Sequence, residues 1–483
     1  MEINHPSGAK GRKGRRNKFL LPSRLRLDER TFIDPNIFRA YDVRGKYPDE
    51  INEITVYKIG QAFAKYTKAK KILVGRDARL SSKSLSTSLI KGINSQGVSV
   101  LDIGLCSAPV FYSAVAESDV DGGLMSTASH LGKGFNGLKP VFRKSLPLSR
   151  EEVASLKNLV INNEFEVISN EEKIIKQDFT QTYIEEIRKF IKTKFKPFKI
   201  VIDASNGMAG LYVEKVFAGT DLKIVPIFVE IDGNFPNHDP DPKILVNRQK
   251  LIDKIIAEKA DLGIMLDGDA DRVYFLDRQG EVIDPSLVSA LIAQYLIEQS
   301  RKKKVLVEVR TSWAVKDFVE KIGGKVEVSL CWTIPIKLKM RKNHEIIFGS
   351  ETSGHYVFAD FYWTDDGILA ALNFLQAISA KNESINEILS DFRGKYFIIE
   401  ETNFEIENPG QANEVLKILE QNYKKQGAKI IKIDGLTVQF PNWWFNLRPS
   451  ETEPLIRLNL EAKTKELMEE KKKEVSSLIE SSR

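Results

Sequence analysis

Three related α/β units followed by a smaller α+β domain are the fold class this sequence predicts. Three observations carry the prediction. The chain has 483 residues, too many for one hydrophobic core, and at roughly 100–200 residues per domain it divides into several. Three apolar, β-rich runs each break into a polar loop: "KILVGRDARLSS" at 71–82, "KIVIDASNGMAG" at 199–210 and "KVLVEVRTSWAV" at 304–315. The last ninety or so residues change character.

Taken in chain order, the first segment is a basic tail. Residues 10–26 hold eight Lys/Arg and no acid, which alone exceeds the net charge of +6. The rest of the chain is therefore slightly acidic, and residues 1–36 read as a disordered extension. Each apolar run then reads as a buried strand leading into a loop and a helix. Their separations, roughly 105–130 residues, suggest one unit used three times. Apolar residues at three- and four-residue spacing in "ITVYKIGQAFAKYTKA" and "SLVSALIAQYLIEQSRKK" predict helices that cover the sheets. The expected units span 37–172, 173–284 and 285–394. From 395 to 483 come the strands of "KYFIIEETNFEI", "LTVQF", "WWFNLR" and "LIRLNLEA", a helix over "ANEVLKILEQNYKKQG" and a charged closing helix. That order predicts an antiparallel sheet with helices.

Composition narrows the function classes. Hydrophobic residues at 42% and charged residues at 29% describe a globular protein. No apolar run reaches the roughly 18 residues of a membrane span, and none follows the basic tail as a secretory signal would require. A cytoplasmic protein is expected. No membrane partner is expected, and no nucleic-acid partner beyond weak contacts of the tail. Cys106 and Cys331 stand far apart without histidine at zinc-like spacing, so neither a disulfide frame nor a zinc site is expected.

Five stretches carry chemistry. "DLGIMLDGDADRVYFLD" (261–277) delivers Asp267, Asp269 and Asp271 at the end of an apolar strand. Three carboxylates at alternate positions repel one another unless a cation sits among them, and a hard divalent ion, Mg²⁺, suits oxygen ligands. An acidic hairpin turn is the plainer reading. "STASHLGKGFNGLKP" (126–140) sets Ser129 and His130 among small residues, as loop filler or as an exposed nucleophile. "LRPSETEPLIR" (447–457) groups Arg448, Ser450 and Thr452, a fork and two hydroxyls that suit a phosphate dianion or a plain turn. In "FGSETSGHYVF" (348–358), Glu351 and Ser353 suit pairs of sugar hydroxyls, with His355 following. "FRAYDVRGKYP" (38–48) offers Arg39, Tyr41 and Arg44 as an anion-side loop or a salt-bridged domain entry.

In these residues the chain resembles the α-D-phosphohexomutases, most closely the phosphomannomutase/phosphoglucomutase branch. "FRAYDVRG", "TASH…NGLKP", "DGDADR", "SETSGH" and "RPSETEP" occur in the family's order from Phe38 onward. The resemblance implies four domains around a central cleft, and a phosphoserine enzyme moving a phosphoryl group between O1 and O6 of a hexose through a bound glucose or mannose 1,6-bisphosphate. It places the phosphoserine at Ser129, the Mg²⁺ ligands at Asp267, Asp269, Asp271 and a phosphoserine oxygen, and candidate acid/base groups at Arg44, Lys139 and His355. It implies substrate contacts at Tyr41, His130, Arg272, Arg310, Glu351, Ser353, Arg448, Ser450 and Thr452. The expected partner is a hexose phosphate, bound by a monomer or a dimer whose last domain closes over it.

Departures from the pattern bear on the expectation. Leu131-Gly132-Lys133 stands where Asn-Pro-Pro is usual, which would loosen the serine loop or add a phosphate contact. Glu451 stands at a Gly or Asn position of the phosphate loop, and Trp332-Thr333 replaces a Gly-His pair. The competing expectations are a phosphoglucosamine mutase and a sugar-phosphate binder without turnover.

Overall fold

The computed structural model describes residues 33–162, 165–168, 173–399, 401–450 and 453–482. Its first sheet holds β1 (Val43–Lys46), β2 (Lys71–Arg76), β3 (Ser99–Leu105), β4 (Gly122–Ser126), β5 (Phe135–Phe142) and β6 (Ile174–Lys176), ordered β1-β5-β4-β2-β3-β6. The second holds β7 (Lys199–Asp203), β8 (Lys223–Ile227), β9 (Leu262–Leu266) and β10 (Val273–Asp277), ordered β10-β9-β7-β8. The third holds β11 (Lys304–Glu308), β12 (Lys325–Ser329), β13 (Ile346–Glu351), β14 (His355–Phe358) and β15 (Thr364–Asp365), ordered β12-β11-β13-β14-β15.

The same four-strand pattern recurs in all three sheets. Its first strand (β2, β7, β11) is flanked on both sides by parallel neighbours, and its fourth (β5, β10, β14) turns back antiparallel beside the third. The three apolar runs of the sequence are the three first strands. They read as continuous apolar stretches because helices cover both faces of a parallel core.

Helices Pro285–Glu298 and Gly367–Ser379 are buried almost all round, as helices between sheets must be. Phe374 on the latter meets Phe275 on β10 with ring centroids 4.3 Å apart, so the second and third units share a core. That core runs on into the first unit through Met125, Phe111 and Tyr112.

The final unit is built differently. β16 (Phe397–Ile398), β17 (Thr402–Glu405), β18 (Lys429–Ile431), β19 (Leu436–Gln439), β20 (Trp443–Pro449) and β21 (Leu455–Ala462) pair antiparallel throughout. Helices Pro409–Lys425 and Lys465–Ser481 close a separate core around Leu419, Tyr423, Phe445, Leu458 and Ile479.

Two expected boundaries shift. Ile33 and Ile37 are buried in the first unit's core, so the chain is packed before residue 37; residues 1–32 lie outside the described ones. β6 lies past residue 172 yet pairs in parallel with β3, so the first sheet extends beyond that point. Among the described residues no helix is long and apolar enough to cross a membrane, and both cysteines are free and buried.

Candidate active site

The link between the third and fourth strands of each repeat carries one chemical motif. It is 127–134 in the first unit, 267–272 in the second and 352–354 in the third. The three links meet. Val273 N donates to Gly354 O at 3.1 Å, and Arg272 bridges to His355. A Cβ on Gly268 would come within 2.6 Å of Ser129 O, so only glycine lets the acidic turn abut the serine loop.

Ser129 sits at φ 53, an uncommon region for a non-glycine residue, which turns its hydroxyl toward the acidic turn. Its Oγ donates to Asp267 Oδ2 at 2.8 Å. Thr127 fixes the approach: its Oγ1 accepts from Ser129 N at 3.0 Å and donates to Asp269 Oδ2 at 3.0 Å. Arg79 holds the loop from below. Its guanidinium donates to the carbonyls of Ser129 (2.7 Å), Leu131 (2.5 Å), Gly132 (2.8 Å) and Phe135 (3.2 Å), while Asp77 balances its charge at 3.0 Å. The loosening expected from Leu131-Gly132-Lys133 is thereby corrected, since the backbone there is tied by a buried fork. Lys133 is exposed.

Asp267, Asp269 and Asp271 are buried, with one oxygen of each within 4.8 Å of the others. Burial, and then the charges of Asp271 and Asp269, push the Asp267 carboxyl well above the usual carboxylate range; burial and Asp271 also raise Asp269. Burial acts likewise on Asp271, but Lys139 and His355 outweigh it and bring that group below its ordinary value. Lys139 Nζ bridges Asp269 Oδ2 at 2.7 Å and Asp271 Oδ2 at 2.5 Å. Burial alone would lower the ammonium, yet the two aspartates hold it well above its ordinary value. Asp269 Oδ1 and Asp271 Oδ1 are buried without a hydrogen-bond donor. Crowded carboxylates with orphaned oxygens fit a hard divalent cation, so these three aspartates could hold a metal ion.

Arg272 Nε donates to His355 Nε2 at 2.7 Å, which requires the Nε2 lone pair and puts the ring proton on Nδ1. Nδ1 lies 2.7 Å from Asp365 Oδ2, and Lys337 holds the other Asp365 oxygen at 2.5 Å. His130 lies 3.4 Å from Ser129 Oγ. Burial, then the cations Arg272 and Arg44, push its imidazole well below the ordinary value. Arg44 is ion-paired to Asp42 at 2.8 Å.

Burial works against the charge of Arg272, but Asp267, Asp271 and then Glu351 hold it above its ordinary value, and Glu351 belongs to a second group. Glu351 faces Arg310 at 3.4 Å, and Arg310 is forked onto Glu308 at 3.0 Å. Ser353 Oγ is buried without a partner. Arg448 on β20 stands opposite Arg457 on β21, and Arg457 donates to Ser450 Oγ at 3.2 Å. Thr452 and Glu451 lie outside the described residues. Tyr41 stacks on Arg150 with 5.2 Å from guanidinium to ring centroid, and lies 6.3 Å from the Trp332 ring. It therefore stands at the rim with Trp332, which adopts φ 80.

Several site residues escaped the sequence reading. Arg79, Lys337, Asp365, Glu401 and Arg457 stand alone among unremarkable neighbours, and only Arg457, at the end of the quoted phosphate stretch, carried a local signal.

Read together, a serine hydroxyl against a carboxylate trio, with Arg272 and Lys139 beside it, is equipped to exchange a phosphoryl group between a side chain and a ligand. Models of the phosphoglucomutase/phosphomannomutase α/β/α domains I, II and III match residues 35–167, 181–280 and 284–396, and that of the C-terminal domain matches 401–478. The phosphomannomutase of Escherichia coli is 32% identical over 435 residues, covering 88% of this chain and 94% of that protein. The phosphoglucomutase of Neisseria gonorrhoeae is 31% identical over 454 residues, covering 93% and 98%. A solved phosphoglucomutase/phosphomannomutase family protein from Burkholderia thailandensis superposes with TM-score 0.85 at 28% identity, covering 93% and 98%. The chain belongs to the phosphoglucomutase/phosphomannomutase family of phosphohexomutases. It is accordingly an intramolecular phosphotransferase.

Proposed function

We propose that the chain interconverts the 1- and 6-phosphates of mannose and glucose through a phosphorylated Ser129 and a bound hexose 1,6-bisphosphate. The observation that carries this reading is Ser129 Oγ lying 2.8 Å from Asp267 in a buried carboxylate trio, with Arg272 4.0 Å from the same Asp267 carboxylate. Phosphoserine gives its phosphoryl group to the free hydroxyl of the sugar, leaving Ser129 as the alcohol and the sugar as the bisphosphate. The bisphosphate turns over in the cleft, and Ser129 takes back the other phosphoryl group, so the enzyme is regenerated and the phosphate has moved.

Asp267, Asp269 and Asp271, with an oxygen of the phosphoserine, would hold Mg²⁺, which neutralises charge on the transferring phosphoryl oxygens when bound. Arg272 and Lys139 add positive charge on the same side. Arg44, Lys139 and His355 surround the point of attack and together take and return the proton of the attacking hydroxyl. Glu351 and Ser353 accept and donate to sugar hydroxyls, while Arg448 and Ser450, with Thr452, grip the phosphate far from Ser129. His130, Arg310 and Tyr41 complete the contacts. The protein acts in the cytosol as a monomer or a dimer.

A coupled assay with mannose, glucose and glucosamine 1-phosphates and a trace of 1,6-bisphosphate tests the reading. Turnover is expected on the first two, lost in EDTA and restored by Mg²⁺. Intact-mass spectrometry should find one removable phosphate on the wild type and none on Ser129→Ala. Preference for glucosamine 1-phosphate would favour the phosphoglucosamine alternative, and unchanged turnover in Ser129→Ala would overturn the mechanism.

A further inference from the structure

One carboxylate sits where the arginine cluster would be expected to receive a ligand. Glu401 Oε2 lies 3.4 Å from Arg310 Nη1 and 3.8 Å from Arg448 Nη2, and its Oε1 lies 3.7 Å from Arg457 Nη1 and 4.0 Å from Lys243 Nζ. Asn459 donates to the same carboxylate at 3.2 Å. Those cations come from the second, third and fourth units, and Glu401 itself lies in the fourth, on the link between β16 and β17.

The cations around it are unevenly answered. Arg448 and Arg457 are directly opposed on adjacent antiparallel strands, an arrangement that repels unless an anion lies nearby. Glu308 and Glu351 answer Arg310, and Glu453 answers one side of Arg457 at 2.7 Å. The Nε atoms of Arg448 and Arg457 are buried without an acceptor. A single carboxylate at 3.4–4.0 Å contacts all four cations and makes a close fork with none. A phosphate dianion has twice the charge and three oxygens, and suits the same donors better.

Resting on the phosphate-clamp reading above, we propose that Glu401 is a built-in placeholder anion. It occupies the distal phosphate position of the open enzyme, keeps Arg310, Arg448 and Arg457 convergent, and is displaced by the substrate phosphate. Its return to the arginines drives the phosphate out, so it limits affinity in favour of release. Removing its charge should tighten binding, whereas a residue that only supported the arginines would weaken binding when changed.

The sign of the effect is the test. Glucose 1-phosphate and inorganic phosphate are titrated calorimetrically into the full chain with Mg²⁺, in a Ser129→Ala background that prevents turnover. Glu401→Gln should bind glucose 1-phosphate about tenfold more tightly, and Glu401→Asp, which keeps the charge, should stay near the parent. In the Ser129-containing enzyme Glu401→Gln should lower KM and kcat together, as slow release requires. Unchanged or weaker binding by a folded Glu401→Gln, with the parent still binding, would overturn the placeholder and leave the clamp standing. Should Glu401→Gln not fold, Glu401→Asp decides by itself, since binding weakened more than tenfold with the charge retained would assign a supporting role. Absence of binding in the parent, unaltered by Arg448→Ala, would remove the clamp and the placeholder together.

Discussion

Arg79 donates to four backbone carbonyls of the serine loop, and its partners come 50 to 56 residues later in the chain. A lysine keeps the charge but has no planar fork, so it cannot serve all four at fixed angles. Arg79→Lys should therefore leave Ser129 misplaced and lower turnover about a hundredfold, as small displacements of a reacting group do. A coupled assay beside thermal denaturation checks this; an unchanged rate would show that the loop is held by other means. Such a residue was not legible in the sequence. "GRDARL" shows an arginine beside an aspartate at the end of a strand, and nothing local says that its carbonyl partners lie in the loop after β4. Ser129, by contrast, was legible, because its small and glycine-rich neighbours are part of what lets the loop project.

At the scale of elements, the links after β4, β9 and β13 explain why the motifs could be found at all. A tight turn at a strand end is local, so its residue types and spacing survive in the one-dimensional pattern. The helix caps show the opposite. Asp366 caps helix Gly367–Ser379 through Oδ1, accepting from Ile368 N at 2.8 Å and Leu369 N at 3.0 Å, while Tyr183 of the second unit donates to Oδ2 at 2.8 Å. Burial raises this carboxyl from its usual 3.8 to about 7. A folded pKa above the unfolded one means the folded chain holds the proton more tightly. Its stabilising contribution is full below about pH 4 and is lost as the pH rises to about 7. Asp366→Asn keeps the Oδ1 cap and does not ionise, so relative to wild type it should gain roughly 2–4 kcal/mol between pH 4 and pH 8. Denaturant melts at the two pH values measure the gap, and a pH-independent gap would exclude the linkage.

For the whole molecule, the decisive contrast is between the core that the first three units share and the one that the fourth keeps to itself. The first three units pack through Met125, Phe275 and Phe374 into a continuous apolar interior, whereas the fourth closes on itself around Tyr423 and Phe445. The ties between them include polar contacts: Glu401 with Arg310, Lys463 with Asp317 at 3.4 Å, and Asp434 accepting from Cys331 N at 2.9 Å. A polar interface between self-contained cores is the kind that moves. Binding of glucose 1,6-bisphosphate to the Ser129→Ala chain should therefore reduce the radius of gyration in solution scattering. Arg448→Ala should abolish the contraction, and an equal contraction in that variant would show that the clamp does not draw the domain in.

The sequence by itself determined the fold class, the repeat and the separate last domain, and it singled out candidate reacting groups, because strand patterning, turn chemistry and residue type are properties of short stretches. Tertiary structure alone decided which groups meet. Ser129 and Asp267 are 138 residues apart and Lys139 and Asp269 are 130, yet each pair is in hydrogen-bond contact. It also decided that Arg79, Asp365 and Glu401 belong to the site. Their roles depend on distances and charges summed over several units, and no local pattern encodes such a sum.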